Sequence, residues 1–230
     1  KEGYYRDKIK EVIDLAIHYG KPWDEKLKIV NELGEELWVR TLGEANIENG
    51  KCLHLSGTIQ DIDEEVKQEK QLIQKEQMLL AISKATDELL SNNKLYEAIP
   101  NSLEIIGKSV GVDRIYYFEN SIGEEGEKLT SQRFEWSTET VDSQINNPDL
   151  QNIPFEAFGE FVLPMEKNEI FQAIVSNLSE DSETKEFLDN QNIKSILTIP
   201  IFTNKGYWGF IGYDDCTNER EWSQAELSLL

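Results

Sequence analysis

Few side chains in this sequence are of a type that does chemistry, and fewer stand at a spacing that would let them act together. The two histidines, His18 and His54, fall in the first sixty residues, one in a helical pattern and one in an alternating pattern. Neither has a Cys or a second His nearby, so the ligand set of a zinc site is missing. Cys52 and Cys216 are the two cysteines; they make no disulfide framework and point to a reducing compartment. Cys216 follows Asp214-Asp215, and adjacent carboxylates raise a thiol pKa, which is the reverse of what a reactive thiolate needs. Cys52, in a strand pattern, reads as a small apolar residue. The glycine-rich phosphate cradles, the His-Glu-x-x-His helix and the Gly-x-Ser-x-Gly elbow are absent from the sequence. Glu124-Glu125 and Glu180-Asp181-Ser182-Glu183 are charge runs of the kind that solvated loops carry. Each constellation that catalysis requires lacks a member, so this chain is not expected to be an enzyme.

Composition and period outline the elements that would have to position any other site. The chain has 230 residues, with 44 Asp and Glu against 23 Lys and Arg, a formal charge of −21, and 39% apolar residues. That charge repels a polyphosphate backbone and an anionic membrane surface, and no basic stripe is interleaved with aromatics, so neither nucleic acid nor membrane is an expected partner. The length fits one large domain or two small ones, and the apolar share suffices for a core. There is no apolar run of about 18 residues and no signal segment at the start, so a cytoplasmic setting is expected. An opening Lys1 in place of Met, and a last helix cut off at Leu230, read as an excised piece of a longer protein.

Helical spacing of Ile9, Val12, Ile13, Ala16 and Ile17 predicts a helix over 4–19, closed by Gly20. Three strand patterns follow over 23–31, 36–47 and 51–60, the last two joined by Asn49-Gly50, a strong hairpin signal because both turn residues accept positive φ. At Asp61-Ile62-Asp63-Glu64 the period turns helical, and a long helix is expected over 63–90. Val66, Ile73 and Leu80 recur every seven residues along it, with a second seam through Leu72, Leu79, Ile82 and Leu89. The heptads are interrupted by polar residues, so a solvated connecting helix and a dimeric coiled coil both fit. A helix over 95–110 comes next, then strands over 112–120 and 127–138, and a loop-rich stretch over 139–169 whose Phe155, Phe158 and Phe161 suit a short covering helix. A strand over 170–178, a helix over 182–190, a hairpin of 195–203 with 207–215, and a capping box at Ser223-Gln-Ala-Glu226 complete the pattern. The fold class is α+β.

Two stretches resemble known families. Residues 22–66, through Trp23-Asp-Glu-Lys-Leu27, Leu37-Trp38-Val39 and the closing Asp61-Ile62-Asp63-Glu64, resemble the C-terminal half of a PAS sensor domain, whose last strand typically ends in Asp-Ile-Thr-Glu before a signalling helix. Residues 77–230 resemble a GAF domain: Val112-Asp-Arg-Ile-Tyr-Tyr-Phe118, Ile193-Lys-Ser-Ile-Leu-Thr-Ile-Pro-Ile-Phe202 and Gly206-Tyr-Trp-Gly-Phe-Ile-Gly-Tyr-Asp-Asp215 match its core strands, and Trp222-Ser-x-x-Glu226 its closing helix. The resemblance implies residues 1–62 as part of a PAS domain, 63–92 as a linking helix and 77–230 as a GAF domain. It implies an antiparallel sheet with helices on one face and a roofed pocket on the other, preceded by a helix and three-stranded meander.

Strand alternation then assigns the pocket. By similarity of Asp113-Arg114 to bilin-binding GAF domains, Tyr116 and Phe118 should face it, with Ile115 and Tyr117 toward the helices. The same phasing points Ile196 and Thr198 inward, and Gly212 and Asp214 on the last strand; Phe155 and Phe158 would form the roof, joined by Trp136. Thr198 and Asp214, polar among apolar neighbours, need partners and are the expected ligand anchors, so Thr198→Val or Asp214→Ala is expected to remove a ligand response and leave folding nearly intact. The competing reading is that the aromatics simply fill the cavity. No ligand can be named. The bilin-attachment cysteine, the cyclic-nucleotide signature around Thr184-Lys185-Glu186-Phe187 and the cysteines of a methionine-sulfoxide reductase are missing, and haem and metal find no support.

Tandem PAS and GAF domains are sensory inputs of bacterial histidine kinases and diguanylate cyclases. The resemblance therefore implies a sensor for a small molecule that relays its state through a parallel homodimer of the 63–90 helix to an output elsewhere, a histidine kinase first and a diguanylate cyclase second. The alternative is a structural dimerisation module.

Overall fold

The computed structural model describes residues 2–92 and 94–230. These form two compact units, Lys1–Gln74 and Lys75–Leu230.

In the first unit, α1 (Glu2–Tyr19) precedes β1 (Trp23–Val30), β2 (Glu36–Glu48) and β3 (Lys51–Asp61), an antiparallel meander in the order β1-β2-β3. Asn49 and Gly50 both have positive φ, 50° and 76°, as the two-residue hairpin between β2 and β3 requires. The core is small: Leu27 and Val39, opposite one another on β1 and β2, are buried, as is Ala16 of α1. Thr41 is buried beside them and accepts a hydrogen bond from Trp23 Nε1 at 3.2 Å. On β3, Leu53, Leu55 and Ile59 stay exposed. Asp61 Oδ1 accepts the Asp63 amide and caps α2 (Asp63–Ser91), while Asp63 Oδ1 accepts the Trp38 amide.

In the second unit the last turns of α2 bury Met78, Ala81 and Ala85. Ala81 and Ala85 are small enough for α3 (Leu95–Val110) to approach, so that the buried Ser102 donates to the Ala85 carbonyl at 3.1 Å. The sheet contains β4 (Arg114–Ile122), β5 (Lys128–Ser137), β6 (Ile153–Pro154), β7 (Phe171–Ile174), β8 (Ser195–Thr203) and β9 (Gly206–Asp215), in the order β6-β5-β4-β9-β8-β7, every pair antiparallel. One face carries Ile115, Leu197 and Tyr213 and packs against α3 through Leu103 and against Trp222 near α6 (Gln224–Leu227). The other carries Tyr116, Phe118, Ile196 and Phe210 under a roof made of a 3-10 turn (Phe155–Phe161), α4 (Val162–Glu166) and α5 (Glu183–Asp189). This is the α+β arrangement anticipated above, with a sheet covered on both sides.

Two details depart from the periodicity. β7 stops at Ile174, because the chain enters a 3-10 turn over Val175–Asn177 in which the Leu178 amide donates to the Val175 carbonyl, so the strand is half the predicted length. β5 carries a bulge: Tyr117 faces Phe134 but Phe118 faces Gln132, so Arg133 is one residue too many for its partner strand.

Among the described residues no helix is long and apolar enough to cross a membrane. No cluster of three His, Cys, Asp or Glu side chains that could hold a metal ion is found among them either.

Candidate functional site

The roofed face of the sheet is built from alternation along β4 and β9. Residues 116 and 118 on one strand, with 210, 212 and 214 on the other, share a side because the strands pair Tyr116 with Gly212 and Phe118 with Phe210. Phe118 and Phe210 stack at 4.8 Å with rings 7° from parallel. Phe158 descends from the roof edge-on to both, at 6.5 and 6.4 Å, and is backed by Phe161 at 5.4 Å and Phe187 at 5.0 Å. The roof is fixed from behind, since the buried Thr184 hydroxyl of α5 donates to the Phe158 carbonyl at 3.1 Å. The space left between sheet and roof is about 10 Å³, room for about one water.

At the other end of the chamber lies a buried ion pair. Arg114 is 1% exposed and Asp214 0%. Nε and Nη2 of Arg114 donate to Asp214 Oδ2 at 2.9 and 2.7 Å, and the Tyr116 hydroxyl donates to Oδ1 at 2.9 Å. Arg114 Nη1 reaches the Asp142 carbonyl at 3.4 Å. Burial pushes the Asp214 carboxyl up to about 6 against the opposing pull of Arg114 and Tyr116, so it is ionised at neutral pH. The same surroundings hold the Tyr116 hydroxyl well above the usual tyrosine range, burial first and the Asp214 charge second. Gly212 makes this geometry possible: a Cβ there would lie 2.2 Å from the Tyr116 ring, so the ring lies directly on the backbone of β9 and its hydroxyl reaches Asp214.

The chamber also holds polar side chains that no alternation pattern singled out. The bulge at Arg133 turns Gln132 inward beside Phe118, and Gln144 and Gln191 join it from the loops. Gln132 is 3% exposed. Its Nε2 donates to Glu135 Oε2 at 2.6 Å, while its Oε1 meets no donor among the described residues.

The predicted residues therefore divide. Tyr116, Phe118, Phe158 and Ile196 line the chamber with Arg114 and Phe210. Gly212 and Asp214 lie beneath Tyr116, and both Asp214 oxygens are already taken. Phe155 is buried at the beginning of the roof against Tyr207, and Thr198 Oγ1 donates to the Phe171 carbonyl at 3.4 Å; neither lines the remaining space. Trp136 is a correction. It pairs with Ile115 and packs on the helix side against Gly107 of α3, because the bulge reverses the phase of β5 between Gln132 and Phe134. Sequence reasoning missed Arg114 as the partner of Asp214, and it missed Gln132, Phe187 and Phe210; Phe161 it placed on the covering segment without assigning it to the chamber. Phe210 was within reach, since it shares its face with Gly212 and Asp214 by simple alternation.

No protein-family model matches the chain. It is 36% identical over 184 residues to a methanogenesis regulatory histidine kinase from Methanothrix harundinacea (strain 6Ac), a match that covers 80% of this chain and 20% of the relative. The chain thus spans about a fifth of the length of that relative. Among solved structures, a phycocyanobilin-bound GAF domain from a cyanobacterial phytochrome aligns over 65% of this chain and 85% of its own, with a TM-score of 0.52 at 17% identity. The far-red absorbing dark state of a protein with bound biliverdin IXα aligns over 65% and 90%, with a TM-score of 0.50 at 15% identity. The fold is GAF-type, and four fifths of the chain is similar to a segment of that histidine kinase.

Proposed function

We propose that this chain is a non-catalytic sensory input segment of a histidine-kinase-type signalling protein, in which the chamber of the second unit reports its occupancy through α2. The observation that carries this reading is the 36% identity to a regulatory histidine kinase across four fifths of the chain. Two physical features support it. The roof and sheet enclose a chamber whose one end is aromatic and whose other end is a fixed polar group, the composition of small-molecule sites. α2 is a 29-residue helix, and its Leu72, Ile73, Leu79 and Leu80 are about half exposed or more. An apolar stripe of that kind suits a second copy of the same helix, and a paired helix is a two-state element that occupancy can bias. On this reading the first unit is the closing half of a PAS-type sensor, as its Asp61-Ile62-Asp63-Glu64 exit resembles.

The second reading, a packed module without a ligand, is favoured by the small space of about 10 Å³ under Phe158. A bilin of the sort held by the two solved relatives does not fit that space. A chimera separates the readings: the matching segment of the relative's kinase is replaced by this chain, and autophosphorylation is measured. Phe158→Ala and the pair Ile73→Glu with Leu80→Glu should each change the rate more than twofold in an otherwise active chimera. Equal rates in all three would refute a sensory role.

A further inference from the structure

The orientation of Gln132 narrows what the chamber can take. Glu135 accepts an N–H of the Gln132 amide, which leaves Oε1 turned away from it, buried and without a donor among the described residues. Leaving such an acceptor unmade is costly, so the position favours an N–H or O–H brought by a guest. Arg114 lines the same space with N–H groups beyond those that Asp214 and Asp142 accept. Gln132 and Arg114, both in the lining of that space, offer an acceptor and a donor, the complement of an amide edge. Charge restricts the guest further. The Arg114 cation is already neutralised by Asp214, so a carboxylate would bring an unbalanced negative charge near Glu135 and Asp214, and a cation could reach Glu135 only by displacing the Gln132 and Gln144 N–H groups that it accepts. The remaining walls, Phe118, Phe161, Phe187 and Phe210, are aromatic and already arranged around a single ring, that of Phe158.

We infer, resting on the sensory reading above, that the chamber takes a neutral single-ring aromatic compound bearing an amide or lactam edge. Its ring replaces that of Phe158 between Phe118 and Phe187, and its N–H and C=O meet Gln132 Oε1 and Arg114. Phe158 is then the residue a ligand displaces, and its swing is the local event that occupancy produces.

Benzamide, toluene and benzoate are the probes, titrated into the intact 230-residue chain by calorimetry and by side-chain amide NMR. Phe158→Ala opens a ring-sized space of the kind that holds benzene in an apolar core. In that variant benzamide should bind at least tenfold more tightly than toluene, and benzoate should not bind. Adding Gln132→Met should cost benzamide tenfold or more and toluene less than twofold. Wild type should bind benzamide more weakly, because its competent state is a fraction of the population, with the Gln132 amide resonances moving. Equal affinity for benzamide and toluene, or indifference to Gln132→Met, overturns the inference. Should Phe158→Ala fail to fold, Phe158→Leu and the wild-type titration carry the test, and no shift at Gln132 at millimolar benzamide overturns it as well. The chimera keeps the two proposals apart. Benzamide binding with a kinase indifferent to Phe158→Ala sinks the sensory reading alone, and a responsive kinase with no preference for benzamide sinks the ligand class alone.

Discussion

Replacing Asp214 by Ala should severely destabilise the second unit, contrary to the sequence-based expectation of a nearly intact fold. The carboxylate it removes is 0% exposed and balances a guanidinium that is 1% exposed. Truncating one partner of such a pair leaves an uncompensated buried charge, which costs about 3–5 kcal/mol, whereas swapping both partners for apolar residues is often neutral. For a domain of this size roughly 2–4 °C of melting temperature accompanies each kcal/mol, so Asp214→Ala should lower the melting temperature by about 6–20 °C. Circular dichroism at pH 7.5, where Asp214 is ionised, measures it alongside Arg114→Met with Asp214→Leu. The double replacement should lie within about 2 kcal/mol of wild type, and Tyr116→Phe, which removes one hydrogen bond at 2.9 Å, should cost about 1 kcal/mol. An Asp214→Ala change below about 1 kcal/mol would refute the buried pair as a structural lock, and a double replacement as damaging as the single one would refute charge as the cause.

Other outcomes follow from the same geometry. Gly212→Ala should cost about 1–3 kcal/mol by forcing the Tyr116 ring off β9, read as a shift of the urea midpoint; no shift would mean the ring has room to move. Burial pushes the Cys216 thiol up to about 12, so at pH 8 its thiolate fraction should be about 10³-fold below that of a free cysteine. Mass-resolved alkylation of the folded chain should accordingly find Cys216 unmodified long after free cysteine has reacted, and comparable rates would contradict that burial. On the helix-pairing proposal the wild-type chain should sediment as a dimer and Ile73→Glu with Leu80→Glu as a monomer, and an unchanged sedimentation coefficient would remove that proposal.

What could be read from the sequence was whatever is local. The Asn49-Gly50 turn and the Ser223 capping box, in which Ser223 Oγ accepts the Glu226 amide and Glu226 accepts the Ser223 amide, follow from spacing within one element; alternation groups Tyr116 with Phe118, and the resemblance to GAF domains supplied which face is the inner one. What could not be read depends on partners far along the chain. Arg114 and Asp214 stand 100 residues apart, and nothing local marks one as the counter-ion of the other. The bulge at Arg133 is invisible to a period of two, so alternation along β5 could not have told that Gln132 faces the chamber while Trp136 faces the helices. Nor does alternation report how tightly a roof closes: Phe158 was predicted there, but the small space beneath it is set by Phe161 and Phe187, which pack it from above.

The contact between Tyr116 and Gly212 ties two positions to each other in evolutionary terms. The ring occupies the place where any other side chain at 212 would begin, so the two sites are free to vary only as a pair. A descendant that acquires Ala at 212 must shrink residue 116, and with the ring goes the hydroxyl that holds one oxygen of Asp214. Among homologues, glycine at 212 should therefore travel with tyrosine at 116 and with the Arg-Asp pair as one inherited block. Lineages that lose the block together should be the ones in which the polar end of the chamber has been rebuilt.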